Sequence, residues 1–382
     1  MKTVHIPRGT CRLFGAIKAL GTLQRCVILV HGPKGCVYHI NYILGMRGDR
    51  PSRVYSTCLD EKDVIFGAED RLREAIEELD QCHAPDLIAV LSCCASSIIG
   101  EDVDAAVQAA STRAKVIGIA GGGFEGDFRQ GYSETLRSLV KDLAMSTGSI
   151  DSRTVNLVGV LRSGPDLREL VAILDRMGIA VIAVLTAGAS RDQIERMGSA
   201  ALNIVLCEPS GRQAAELLKE RFGTPYLVAD LPIGREATKR FCRTIGDALG
   251  IPVENGPAGE ASPRPDIRRR VTIIGGPTRA IAMTAFLREL GMEPVLIVLD
   301  FDGGTIERLR TLTDSEILVE PDQETIIQKL RENRADLVMG GMLERSLALM
   351  LGIDFYDMMH GSEKTLGFEG ALNLLRVLRG VK

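Results

Sequence analysis

Three cysteines, Cys11, Cys36 and Cys94, are of a type and spacing that could hold a metal cluster. Cys36 comes shortly after the apolar run Val27–His31, and Cys94 closely follows the run Leu87–Ser92. Both runs predict buried parallel strands, whose carboxyl ends meet at one edge of a sheet, where open α/β folds bind ligands. Three thiolates from separate loops suit a shared iron–sulfur cluster. The alternative is that the cysteines pack as small apolar side chains.

Two further residues could bind a cofactor. Cys207 ends the apolar run Asn203–Cys207, and His360 follows the short run Asp354–Tyr356. Taken alone, an isolated cysteine is more often a core residue, and a lone histidine after a strand is usually a capping or core group.

Strand-length apolar runs, each followed by a helical pattern, recur along the whole chain. Continuous rather than alternating apolar runs predict strands covered on both faces, and strand–helix alternation predicts parallel sheets. The predicted fold class is α/β, with three Rossmann-like domains. Their predicted bounds are residues 1–150, 151–262 and 263–382, because the stretches 146–152 and 254–265 have the composition of linkers.

Composition narrows the functional classes. The chain has 382 residues, of which 45% are hydrophobic and 25% charged, and its net charge of −4 does not favour nucleic acid as a partner. No apolar run is long enough to span a membrane, and nothing resembles an export signal. Nine cysteines without export indicate reduced thiols, so the predicted location is the cytoplasm.

Phosphate-binding motifs are weak or missing. Residues 121–126 have the spacing G-x-G-x-x-G, but no following strand ends in the acidic residue that a dinucleotide site requires. A tight glycine loop that lets the backbone approach a bulky cluster is an equally good interpretation. Because the chain has no Walker A motif, any ATP hydrolysis is predicted to belong to a separate protein.

The chain resembles the nitrogenase component 1 family, because three of its segments match sequence motifs of that family in the same order. These segments are His31–Cys36, Ser56–Gly67 and Cys94–Asp102. The resemblance implies that the first three cysteines hold a P-cluster-like or 4Fe-4S cluster at a seam with a homologous β-type subunit. It also implies a second partner, a homodimeric iron protein that hydrolyses ATP.

The same resemblance implies a larger catalytic iron–sulfur cofactor, related to that of nitrogenase, bound by Cys207 and His360. By the same resemblance, Arg279 is expected to replace a family arginine that lines this cofactor. Arg129 and Ser133 stand where molybdenum nitrogenase has a glutamine and a histidine, so the substrate is expected to differ from dinitrogen.

The resulting hypothesis is the catalytic α-type subunit of a heterotetrameric, ATP-dependent, nitrogenase-like reductase. Its favoured reaction is reductive carbon–sulfur cleavage of small methylthio-alkanes, with Arg129 and Arg279 as catalytic candidates. The alternatives are a cofactor-assembly scaffold and a tetrapyrrole reductase of the chlorophyll or F430 type. Retention of Cys207 and His360 disfavours the tetrapyrrole alternative. The roles of Cys58 and Cys93 stay open at this point.

Overall fold

The computed structural model describes residues 9–46, 53–146, 148, 150–253 and 267–380. Their strands form three sheets, and every pair of neighbouring strands in these sheets runs parallel. The predicted α/β class with parallel sheets is therefore confirmed.

The first sheet has the strand order β2-β1-β3-β4. Its central strands consist of apolar runs buried on both faces, as a sheet covered by helices requires. Its strands are β1 (Cys26–His31), β2 (Val54–Ser56), β3 (Leu87–Ser92) and β4 (Lys115–Ile119). The helices around it are α1 (Arg12–Leu20), α2 (Lys34–Met46), α3 (Glu61–Phe66), α4 (Glu69–His83), α5 (Cys94–Ile99), α6 (Val103–Ala109) and α7 (Phe128–Leu143).

The second sheet has the order β6-β5-β7-β8 and packs, through its helices, against the first. Its strands are β5 (Asp151–Val158), β6 (Ala180–Leu185), β7 (Ala200–Val205) and β8 (Tyr226–Val228). Its helices are α8 (Pro165–Arg176), α9 (Arg191–Glu195), α10 (Glu208–Phe222) and α11 (Arg235–Leu249).

The third sheet has the order β11-β10-β9-β12-β13. Its strands are β9 (Val271–Gly275), β10 (Leu296–Leu299), β11 (Glu316–Val319), β12 (Leu337–Gly340) and β13 (Asp354–Asp357). Its helices are α12 (Pro277–Glu289), α13 (Ile306–Leu312), α14 (Gln323–Glu332), α15 (Met342–Leu351) and α16 (Gly367–Leu378). One apolar core joins the second and third sheets, because buried residues of both belong to the same cluster.

Several details differ from the sequence expectations. Strand β2 was not predicted, and β5 begins at Asp151, inside the stretch assigned to the first linker. The second linker, with the boundary between residues 262 and 263, lies outside the described residues. The domain bounds therefore stay a prediction. No helix within the described residues is long and apolar enough to cross a membrane.

Candidate functional site

The three predicted cluster cysteines occupy helix starts at one edge of the first sheet. Cys11 is the N-cap of α1, Cys36 is the third residue of α2, and Cys94 is the first residue of α5. Strands β1 and β3 pair in register up to His31 and Ser92, so the two chain segments leave the sheet side by side. A Cβ at Gly123 would lie within 4.0 Å of both Cys94 Sγ and Cys11 Sγ, so these two thiols lie side by side. Both also raise the pKa of Cys36 by their charge.

A fourth cysteine belongs to this group. Cys93 is buried as the N-cap of α5, and its thiol hydrogen-bonds with that of Cys36. This hydrogen bond from Cys36, aided by backbone N–H groups of Ser96 and Ala95, lowers the pKa of Cys93 to about 5. The same contact and burial raise the pKa of Cys36 well above its usual value. The pair therefore favours one thiolate, the form that binds metals.

The glycine-rich loop after β4 touches these thiols through its backbone. The Gly123 N–H donates to Cys94 Sγ at 3.1 Å. A Cβ at Gly123 would lie 3.1 Å from Cys94 Sγ and 3.2 Å from Cys11 Cβ. The glycines of this loop therefore let its backbone come close to the cysteine sulfurs. This is the second interpretation of the G-x-G-x-x-G spacing given above, in place of a dinucleotide site.

The thiol group does not form a site for a single metal ion. Within the described residues, no set of three or more His, Cys, Asp or Glu side chains is arranged to hold one metal ion. In an iron–sulfur cluster each iron takes its own thiolate, so the sulfurs need not converge on one point. Cys58 is exposed after β2, and its thiol donates to the carbonyl of Ser56 at 3.6 Å.

Cys207 lines a cleft between the second and third sheets. The cleft is partly open to solvent and has an internal volume of about 70 Å³. Cys207 is the buried N-cap of α10; its thiol donates to Ser210 Oγ at 3.3 Å and accepts from Thr278 Oγ1 at 3.3 Å. The lining consists of Gly159, Val160, Leu161, Arg162, Asp166, Leu170, Leu206, Cys207, Leu231, Gly276, Pro277, Thr278, Arg279, Phe301, Met359 and Leu366. A soft donor held by two hydroxyls in a mostly apolar cleft fits one end of an iron–sulfur cofactor.

Two buried guanidiniums share one carboxylate in this cleft. Arg279 donates to Asp166 Oδ2 at 3.2 Å and to Thr365 Oγ1 at 2.8 Å, while Arg162 pairs with the same carboxylate. Burial raises the pKa of Asp166, but the charges of Arg279 and Arg162, with hydrogen bonds from Thr365, hold that pKa below its usual value. Two cations against one anion leave the cleft wall with a positive charge, which favours an anionic occupant.

Arg162 also fastens the carboxyl-terminal segment to the second sheet. It donates to the carbonyl oxygens of Gly361 and Glu363 at 2.6 and 2.9 Å. The Thr365 N–H donates to Asp166 Oδ1 at 2.7 Å. The segment that follows His360 is therefore held by the same residues that line the cleft.

His360 lies beside the cleft rather than in its lining, which includes its neighbour Met359. Its side chain is 25% exposed, and Nδ1 lies 3.6 Å from Asp357 Oδ1, which also accepts the His360 N–H at 2.6 Å. Burial raises the pKa of Asp357, but its hydrogen bonds with His360 and Met359 bring the value down to about 2. The structure thus brings Cys207 and Arg279 together in one cleft and leaves His360 at its side.

Arg129 reaches the cleft indirectly. It lies in the first turn of α7, and its guanidinium carbon stands 5.7 Å from the centre of the Phe301 ring, a cation–π contact. Phe301 lines the cleft, whereas Arg129 does not. Ser133, one turn further along α7, is buried.

Sequence reasoning missed Arg162, Asp166 and Phe301. Each follows a buried strand at the carboxyl edge of its sheet, and this placement is a signal that could have found them. Arg162 and Asp166 are also four residues apart, but their partners Arg279 and Thr365 are distant in sequence.

The chain matches a known protein family over nearly its whole length. Residues 11–381 match the family described as nitrogenase component 1 type oxidoreductase. The chain belongs to this family. The resemblance inferred from three motifs is thus confirmed, whereas the particular ligand residues stay predictions.

Family members with different roles are similar to the chain. The nitrogenase iron–molybdenum cofactor biosynthesis protein NifE of Clostridium pasteurianum is 31% identical, over 97% of this chain and 86% of that protein. One of the subunits of the light-independent protochlorophyllide reductase of Heliobacterium modesticaldum is 27% identical, over 88% of this chain and 69% of that subunit. The nitrogenase molybdenum–iron protein alpha chain of Methanothermobacter marburgensis is 28% identical, over 96% of this chain and 86% of that protein.

A solved structure, nitrogenase Cp1 at pH 6.5, superposes on the chain with a TM-score of 0.88 and 21% identity. The match covers 100% of this chain and 94% of that one. It therefore supports the shared fold along the whole chain.

Proposed function

We propose that this chain is the catalytic α-type subunit of an ATP-dependent, nitrogenase-like reductase. The observation that carries the proposal is the buried Cys207 thiol, which lines the same cleft as the paired guanidiniums of Arg162 and Arg279. Cys207 would bind a catalytic iron–sulfur cofactor, and the net positive wall would balance the negative charge that thiolate-ligated clusters carry. His360 would ligate the far end of the cofactor after its side chain turns from Asp357.

A relay cluster at the first sheet would supply electrons to this cleft. Its proposed ligands are Cys11, Cys36 and Cys94. Large apolar side chains stand exposed on the helices that carry Cys36 and Cys94 and on the neighbouring helix α3 and glycine loop, with 70% or more of each residue accessible: Tyr38, Ile98, Ile65, Phe66 and Phe124. Exposed apolar surface around a group of thiols is typical of a protein interface. The surface therefore supports a homologous β-type subunit as its partner.

ATP hydrolysis is assigned to a separate iron protein, because no phosphate-binding loop was found in the sequence. The proposal therefore needs three proteins: this chain, the β-type subunit and the homodimeric iron protein. We expect all of them in the cytoplasm, where the nine cysteines of this chain stay reduced.

The proposed reaction is reductive cleavage of a carbon–sulfur bond. Dimethyl sulfide takes up two electrons and two protons and yields methane and methanethiol. With 2-(methylthio)ethanol the same uptake yields ethylene, methanethiol and water. The bound iron–sulfur cofactor supplies the electrons, and the thioether sulfur is a soft ligand that suits iron.

Within the cleft, the chain would orient the substrate and steady the departing thiolate. The apolar lining, with Leu206, Leu231 and Phe301, accepts an alkyl group and excludes water. Arg279 is fixed by Asp166 and Thr365, so its guanidinium is a preorganised cation. Arg129, stacked on Phe301, would stabilise the thiolate by a charge-assisted hydrogen bond after a side-chain rotation.

The test uses the complete complex under anaerobic conditions with reductant and ATP. Methane and methanethiol from dimethyl sulfide, with no ammonia from dinitrogen, are the expected products. Ammonia without hydrocarbon would overturn the assignment in favour of a dinitrogen reductase. The double variant Cys207→Ala with His360→Ala is expected to lose the cofactor's iron and keep the relay cluster, whereas Cys242→Ala, on α11, serves as a control. Equal iron in the double variant and the parent would contradict the cofactor site.

A cofactor-assembly scaffold is the second candidate. It is favoured by the position of His360 outside the cleft lining, because a scaffold releases its cofactor and needs fewer permanent ligands. It is also favoured by 31% identity to a cofactor biosynthesis protein. Transfer of iron and cofactor from this chain to an apo-reductase, with no hydrocarbon product, would select this candidate. Turnover of a tetrapyrrole instead would select the third candidate, related to protochlorophyllide reductase.

A further inference from the structure

We propose that Arg162 is a positioning residue, which holds the turn that carries His360 against the second sheet and so sets the separation between His360 and Cys207. The inference rests on the cofactor site proposed above, because those two residues are its proposed ligands. It goes beyond that site by giving Arg162 a role that acts through the chain rather than on an occupant of the cleft.

The turn that carries His360 is compact. Asp357, the last residue of β13, accepts the N–H groups of Met359 and His360 through Oδ1, at 2.9 and 2.6 Å. A Cβ on Gly361 would lie 2.5 Å from the Asp357 carbonyl oxygen, so the chain closes tightly on itself there. Because the turn is closed in this way, a contact that fixes Gly361 also fixes the backbone of His360.

Arg162 supplies that contact. Its side chain is 6% exposed, and its Nη2 donates to the carbonyl oxygens of Gly361 and Glu363 at 2.6 and 2.9 Å. Its Nη1 donates to Thr365 Oγ1 at 3.1 Å and pairs with the carboxylate of Asp166. Each of these two nitrogens carries two hydrogens, so all four are engaged by the chain itself. These are the contacts of a residue that positions a segment.

The two proposed ligands belong to different sheets, and Arg162 connects them. Cys207 follows β7 in the second sheet, whereas His360 follows β13 in the third. The chain meets the second sheet again at Gly367, whose N–H donates to the Pro232 carbonyl oxygen at 2.8 Å. That anchor lies well beyond His360 along the chain, whereas Arg162 holds the residue directly after it. Arg162, which follows β5, thus ties His360 to the sheet that carries Cys207.

Two substitutions separate a positioning role from a charge role. Arg162→Lys keeps the positive charge beside Asp166, but a lysine ammonium is a single point of charge and cannot reproduce the planar fork that reaches both carbonyl oxygens. Arg162→Met removes the charge as well. Arg168→Lys is the matched control, because Arg168 lies on the neighbouring helix α8 and is exposed. The midpoint of urea unfolding shows whether each variant is folded, and Arg162→Lys carries the test if Arg162→Met is not.

The first measurement uses the full chain without cofactor. Its histidine rings are isotope-labelled, and His360→Gln identifies the nuclear magnetic resonance signal of His360 among the five histidines. We expect this signal to shift or split in Arg162→Lys and to match the parent in Arg168→Lys. Amide exchange at Thr365 should become faster by about tenfold to a hundredfold in Arg162→Lys, as the loss of charge-assisted hydrogen bonds predicts.

The second measurement uses the complete complex, in which Arg162→Lys should lower the cofactor's iron and alter its electron paramagnetic resonance spectrum. A parental His360 signal in folded Arg162→Lys, or parental iron and spectrum in its complex, would overturn the inference. A defect in Arg162→Met that Arg162→Lys repairs would also overturn it, because charge alone would then suffice. If the His360 signal moves as expected but the Cys207→Ala, His360→Ala double variant keeps the cofactor's iron, the proposed cofactor site fails and the hold of Arg162 on the turn stands.

Discussion

The shared carboxylate of the cleft offers a quantitative test of the structure. Asp166 is 1% exposed, pairs with Arg162 and Arg279, and accepts from the N–H and hydroxyl of Thr365. The change Asp166→Asn keeps the size of the side chain but leaves two buried guanidiniums without their counter-charge. Removing one partner of a buried ion pair destabilises a protein by about 3–5 kcal/mol.

The loss of stability is expected where the carboxyl-terminal segment meets the second sheet, because Arg162 and Thr365 join the two there. Amide hydrogen exchange at Thr365 measures this opening directly. A loss of that size speeds exchange by roughly two to four orders of magnitude. The variant Asp70→Asn removes the carboxylate of an exposed pair with Arg73 and is expected to change little.

The stability contributed by the Asp166 carboxylate should also depend on pH, in a direction that its lowered pKa determines. The pKa of Asp166 is lowered in the folded chain, so its stabilising contribution is present above the unfolded value of 3.8. That contribution is lost as the pH falls from there through the folded pKa. The parent should therefore lose stability below about pH 4 more steeply than Asp166→Asn. Equal Thr365 exchange in parent and variant at neutral pH, or equal acid slopes, would refute the reasoning.

Two further predictions concern close contacts. Gly123→Ala should lower the iron content of the relay site, because the added Cβ would crowd Cys94. Gly35→Ala is the control, because a Cβ there meets nothing within 4 Å, and its iron content should match that of the parent. Equal iron in both variants would count against the site. Tyr132→Phe should lower the free energy of unfolding by about 1–3 kcal/mol. The reason is that the buried hydroxyl bonds Val160 O at 3.2 Å and Thr186 Oγ1 at 2.9 Å; an unchanged midpoint of urea unfolding would contradict this.

The sheet-edge placement of Cys36 and Cys94 was predictable because it depends on local sequence. Each follows a run of apolar residues long enough for a buried strand, and parallel pairing brings such strand ends together. For Cys11, no strand precedes it within the described residues, and its position depends on a bridge to Asp127, far away in sequence.

Other parts of the cleft depend on contacts that no local pattern records. Strand β2 has three half-buried residues, too few for a periodic signal. The Arg162–Asp166 pair looks like an ordinary helix-entry ion pair until Arg279 and Thr365 join it from other parts of the chain. The side position of His360 follows from its contact with Asp357, which motif matching does not reveal.

Helix α7 connects the two sites physically. It packs closely against α1, which Cys11 caps, because a Cβ on Gly131 would lie 2.0 Å from the Arg12 carbonyl oxygen. It also packs against α10, which Cys207 caps, and Arg221 of that helix donates to the carbonyl oxygens of Val140 and Lys141 at 2.7 and 2.8 Å.

The helices capped by Cys11 and Cys207 thus both pack against one helix of 16 residues, about 24 Å long. Electron tunnelling between two redox centres weakens steeply with distance, so a reductase gains from a spacer that cannot stretch. Because α7 holds the first turn of α1 against its own start and α10 along its side, it would set the tunnelling distance between the two proposed clusters.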